Sequence, residues 1–167
     1  IWAPRQTGKS TSFRLMAEKL EQEGYKICHI NFENYRNHSL SDFLNHFRRY
    51  LWENWGVSFE GLSLAGIFSK IETIHNEKLV LIIDEVEGIN TEYFGDLLHS
   101  IRNAYHFRHK YALKSVIFVG VSNITGVIQD NASPFNVSDS LQIDYFSKEE
   151  VFQLLGQHEA ETGQLFE

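Results

Sequence analysis

The residues best suited to chemistry stand together in Ala3-Pro-Arg-Gln-Thr-Gly-Lys-Ser10. They fit the pattern G-x-x-x-x-G-K-[ST], with Ala3 in place of the first Gly. Gly8 lets the backbone turn so that successive N–H groups point at one anion. Lys9 supplies a point charge for the outer phosphates, and Ser10 offers a hydroxyl to Mg²⁺. A helix starting here turns its positive end toward the same anion. The segment Pro4, Arg5, Gln6, Thr7, Gly8, Lys9, Ser10, Thr11 is therefore the expected phosphate cradle. Ala3 is compatible with that turn provided its φ is negative.

A phosphate loop needs an acidic partner, and the chain offers one at Leu79-Val-Leu-Ile-Ile-Asp84-Glu85. Five apolar residues rich in β-branched types make a strand buried on both faces, as in a parallel sheet. The strand ends in two carboxylates, as a Walker B strand does. Asp84 is placed to hold Mg²⁺ through water beside Ser10, and Glu85 to polarise the attacking water. A third position belongs to the strand Ser115–Gly120. Asn123, or secondarily Ser122, follows its carboxyl end and suits a sensor of the terminal phosphate; the alternative for either is a turn residue. Glu33 follows another strand, Tyr25–Ile30, and either approaches the same metal or water or is a solvated loop acid.

The elements that must position these groups are visible in the apolar spacing. Lys9–Gln22 predicts a helix with Phe13, Leu15, Met16 and Leu20 toward the sheet and Gly24 as its stop. Ser39 or Ser41 caps a helix through Phe43, Leu44, Phe47, Leu51 and Trp52, with Arg48 and Arg49 on its solvated side. A further helix spans Ser63–His75. Asn90 or Thr91 opens a long helix from Tyr93 to about Arg108, with Leu97, Leu98, Ile101, Ala104 and Tyr105 on its apolar face. Near its end, Arg102 or Arg108 is either an arginine finger for a neighbouring subunit or a solvated charge. His106 and His109 read as surface histidines. Leu141–Ile143 is a short last strand. Ser147 and Glu150 form a capping box that opens a helix reaching about Thr162, stopped by Gly163.

The bulk properties exclude several classes. The chain has 167 residues, 43% of them hydrophobic and 22% charged, enough for one globular core. Its net charge of −7 argues against a broad nucleic-acid face. No apolar run approaches the roughly 18 residues of a membrane span, and no signal peptide is visible. Cys28 is alone, which fits a reducing cytoplasm and a buried packing thiol. Residue 1 falls inside what should be the first strand, so the chain reads as a fragment.

With both strands and the tail in hand, the sequence resembles a bacterial group of AAA-like ATP-binding domains related to the STAND and archaeal-type ATPases. The residues carrying the resemblance are Pro4 to Ser10, Leu81 to Val86, Val119-Gly120, Ser133-Pro-Phe-Asn136, Phe146 to Val151, and Thr162-Gly163. It spans nearly the whole chain, and the last pieces narrow it to this group. The resemblance implies a P-loop fold, ATP and Mg²⁺ as ligands, slow hydrolysis and a conformational output, usually with a C-terminal helical lid. Relatives often carry Arg near the position of Ser122, and the Ser-Asn found here counts against an arginine sensor.

The expectation is one P-loop ATPase core over 1–167: a three-layer α/β fold with a mostly parallel sheet, truncated at both ends. Its expected activity is ATP hydrolysis, with Glu85, Lys9 and Asn123 as catalytic residues and Ser10 and Asp84 on the metal. Self-association is possible, with no membrane partner and nucleic acid not indicated. The rivals are a nucleotide switch or scaffold with little turnover, a kinase sharing the phosphate loop, and a DNA-acting motor or loader.

Overall fold

Leu79–Asp84 forms the buried centre of the sheet, with every residue shielded from solvent. In the computed structural model, which describes residues 1–4, 7–106, 109–121 and 139–165, it is strand β2. β1 (Lys26–Asn31) and β3 (Leu113–Phe118) pair with it, both in parallel, in the order β1-β2-β3. Trp2 continues that order through parallel bridges to Gly120 on one side and Gln142 on the other. Residues 1–3 thus run between the end of β3 and the 141–143 segment.

Helices cover both faces, which makes the fold three-layered. On one face Cys28, Ile30, Leu81 and Ile83 meet side chains of α2 (Leu40–Trp55), α3 (Leu64–Ile71) and α4 (Thr91–Tyr105). On the other, Ile27, Val80 and Ile82 pack with Phe13 of α1 (Lys9–Gln22). The alternation of β1 and β2 between these clusters follows from the two-residue period of a strand. Cys28 is fully buried, and burial pushes its thiol pKa up to about 12, so it is a packing residue.

The helices begin where their caps stand. Ser39 and Asp42 form a capping box for α2, and Ser147 and Glu150 form one for α5 (Lys148–Thr162). Ser63 caps α3, and Asn90, rather than Thr91, caps α4. Six expectations are corrected. Leu15 is 55% exposed, because it lies about 100° around the helix from Met16 while Phe13, Met16 and Leu20 share a face. Trp52 is 59% exposed, and Trp55 takes the buried place, four residues beyond Leu51. Arg48 is not simply solvated: its Nε donates to the Leu62 carbonyl at 2.9 Å, tying α2 to the following loop. α3 ends at Ile71 rather than His75, because Thr73 and Ile74 donate to carbonyls three residues back and the turn tightens. α4 ends at Tyr105, and β3 begins at Leu113, two residues before the expected start.

After β2, Val86–Gly88 makes one tight turn that rests on the end of β1. A Cβ on Gly88 would lie 1.8 Å from the Phe32 carbonyl oxygen and 2.7 Å from its carbon. Both obstacles are backbone, so no rotamer change relieves them. Gly88→Ala is expected to destabilise the fold at or above the top of the roughly 1–3 kcal/mol that overpacking costs. Urea unfolding of both proteins measures it, and an unchanged midpoint would contradict this packing.

Candidate functional site

Three carboxyl ends of the sheet converge on one open cleft of about 570 Å³. Thr7, Gly8, Lys9, Ser10 and Thr11 line it from the segment before and at the start of α1. Glu85, Glu87 and Gly88 line it from the end of β2, and Glu33 and Arg36 from the loop after β1. Val121 contributes from beyond β3. Ligands of open α/β sheets sit at this edge of the sheet, near a reversal of strand order.

The segment expected to be the phosphate loop is described at Pro4 and from Thr7 onward. Gly8 is in the left-handed region, with φ 79°, and precedes α1 as its N-cap. No side chain caps α1, and no acidic residue sits in its first turn. Its first N–H groups and its positive end are thus left for an anion. Lys9 Nζ donates to the carbonyls of Ala3 at 3.0 Å and Pro4 at 3.3 Å, and Thr7 Oγ1 donates to Pro4 O at 2.9 Å. These bonds close the loop on itself and hold the ammonium at its mouth. Among the described residues only Asn76 and Glu85 are non-glycine residues with positive φ, so Ala3 meets the condition for replacing Gly. Arg5, Gln6, Asn123, Ser122, Arg108 and Ser133–Asn136 lie outside the described residues.

The acidic side is arranged differently from simple alternation. Asp84 is 7% exposed; its Oδ1 accepts the Glu85 N–H at 2.9 Å, and its Oδ2 lies 3.2 Å from His29 Nε2 on β1. Glu85 turns into the left-handed region, with φ 53°, and this swings its side chain into the cleft while Asp84 stays beneath. Burial, and then the charge of Asp84, raise the Glu85 pKa above that of an ordinary glutamate, while Lys9 pulls it down. Glu33 is exposed and lines the cleft, its N–H bonded to Asn31 Oδ1 at 2.8 Å.

Two charged lining residues escaped the sequence reading. Glu87 reaches back from the turn, and its Oε1 accepts the Val121 N–H at 2.6 Å, joining the ends of β2 and β3. Its signal was only an acid two residues past a paired acid. Arg36 lies in a polar stretch without periodicity, and nothing local marks it. His106 and His109 are exposed, and no group of three or more metal-binding side chains occurs among the described residues. No helix among them is long and apolar enough to cross a membrane.

The family model described as an AAA domain matches residues 1–128. The chain belongs to the AAA domain family. Two curated proteins of Methanocaldococcus jannaschii are similar to this AAA domain over 93% of its length, the uncharacterized ATP-binding proteins MJECL26, at 26% identity, and MJ1076, at 23%. The domain covers 54% and 55% of them, so it spans about half the length of the curated relatives it matches. Among solved structures, Cdc6p from Pyrobaculum aerophilum aligns with 96% of the chain at a TM-score of 0.64 and 18% identity, covering 42% of that protein. The Walker-type ATPase PABY2304 of Pyrococcus abyssi aligns with 99% at 0.65 and 16%, covering 54%. These likenesses establish the α/β P-loop fold for the AAA domain.

Proposed function

We propose that the AAA domain binds ATP with Mg²⁺ in this cleft and hydrolyses it, and that the cycle drives a conformational change. The observation that carries the proposal is the meeting of an uncapped helix start, Lys9 and Glu85 around one open cleft. Membership of the AAA family and the ATP-binding names of the archaeal relatives support ATP as the nucleotide.

The roles follow from the chemistry of each group. The N–H groups from Gly8 to Thr11 and the Lys9 ammonium neutralise the phosphate oxygens. Glu85 orients a water and accepts its proton as the oxygen attacks the γ-phosphorus and the bond to the β-phosphate oxygen breaks. Catalysis of this kind is mostly positioning and charge stabilisation. Mg²⁺ suits the donors present, which are hard oxygens. Ser10 and Asp84 are the residues to hold it, and once bound it would neutralise charge between the outer phosphates. Asn123 is assigned the sensor role from its place after β3.

Thermal unfolding tests the proposal. Ligand at a hundredfold its Kd stabilises by about 2.7 kcal/mol, which for a chain of this size raises Tm by roughly 5–10 °C. Mg²⁺ with ATP should give that shift, and AMP, lacking the outer phosphates, should not. No shift with ATP at millimolar concentration would count against the proposal.

A further inference from the structure

We propose that Arg36 is a contact for the terminal phosphate supplied by the same chain, and that it makes the cleft favour a nucleoside triphosphate over the diphosphate. The inference rests on the ATP reading of the cleft. It starts from sheet order. The phosphate loop leaves the segment at residues 1–3, which lies beside the end of β3, whereas Arg36 follows β1, beyond β2. Three strand spacings separate those origins, roughly 14 Å at about 4.8 Å each. Both nonetheless line the same cleft, with Glu85 from β2 between them. A phosphate chain anchored at Gly8–Thr11 that extends over Glu85 therefore brings its last phosphate nearest the Arg36 wall.

Charge makes that wall informative. The described lining residues carry two cations, Lys9 and Arg36, against Glu33, Glu85 and Glu87. Lys9 belongs to the loop. Without Arg36 the far wall would present carboxylates alone to the most highly charged part of the ligand. Among the described residues Arg36 is exposed and makes no ion pair or hydrogen bond. Guanidinium groups recognise phosphate oxygens through two parallel N–H bonds.

The loop bearing Arg36 is held firmly. The neighbouring Tyr35 hydroxyl lies 2.7 Å from Nδ1 of buried His46, whose Nε2 lies 2.9 Å from the Asn31 carbonyl. Tyr35 also packs edge-on to Phe32, and the Phe32 carbonyl is seated against Gly88. The Asn31 carbonyl can only accept, so Nε2 carries a proton; burial lowers the His46 pKa and favours the neutral ring, in which Nδ1 accepts from Tyr35. An arginine next to so fixed a residue loses less conformational freedom when it engages a ligand.

The test is calorimetric binding of ATP and of ADP, each with Mg²⁺, to the full chain, to Arg36→Ala and Arg36→Lys, and to Lys9→Ala. Arg36→Ala should weaken ATP at least about tenfold, ~1.4 kcal/mol, leave ADP nearly unchanged, and keep the wild-type unfolding midpoint. Arg36→Lys should restore part of the preference. Equal weakening of both nucleotides, or no weakening of either, would overturn the role of Arg36 while leaving the cleft an ATP site. Wild-type protein that binds neither nucleotide, or Lys9→Ala that binds both as well as wild type, would instead overturn the ATP reading itself, and this role with it.

Discussion

Glu85→Gln is expected to lower the rate of ATP hydrolysis by about 10²–10⁴-fold, the usual contribution of a positioned base, while ATP affinity is kept or improved. The amide has the size of the carboxylate and can still hold a water, but it cannot take the proton. It also removes one negative charge from a wall that faces the phosphates beside Glu33 and Glu87. The left-handed backbone at Glu85 is what aims this side chain into the cleft while Asp84 remains buried beneath it. A substitution that keeps the side-chain size therefore tests chemistry rather than folding. Phosphate release under saturating ATP is the measurement. A variant as fast as wild type would remove Glu85 from the mechanism. A wild-type protein with no turnover and intact binding would favour the switch over the hydrolase.

Lys9→Ala is expected to cost ATP affinity by roughly tenfold to more than a hundredfold, from the 1.5–3 kcal/mol typical of a hydrogen bond to a charged group. The cost to stability should be smaller, about 1 kcal/mol. In the free loop the ammonium donates to two carbonyls, those of Pro4, a partly exposed residue, and of Ala3, a buried one. The difference between the two costs separates a ligand-binding lysine from one that merely closes a turn. Equal losses in affinity and stability would make Lys9 structural.

Much of this architecture was legible because its causes are local. The run Leu79–Asp84 reads as a strand covered on both faces because it is short, apolar up to Asp84 and rich in β-branched residues. Gly8 with Lys9 and Ser10 announces its own turn, and Ser39, Asn90 and Ser147 mark helix starts by the N–H groups they accept from. Leu15 and Trp52 were misplaced because an apolar residue declares its preference for burial, while the phase of the helix decides whether burial is available. Arg36 and Glu87 were invisible for another reason. Their position depends on the stacking of the turn after β2 upon the end of β1, a contact between segments more than fifty residues apart, set by Gly88 against Phe32. The pairing of His29 with Asp84 is of the same kind: parallel pairing of β1 with β2 brings the two strands side by side, and no spacing within either strand reveals it.

On this reading the cleft at the carboxyl edge of the sheet holds the phosphates of ATP through the loop before α1. A calorimetric titration of ATP with Mg²⁺ into the wild-type chain and into Lys9→Ala tests it most directly. Saturable one-to-one binding is expected of the wild type, and its loss, or severe weakening, of the variant. Folded wild-type protein that gives no binding heat, or a variant that binds as tightly as the wild type, would contradict it.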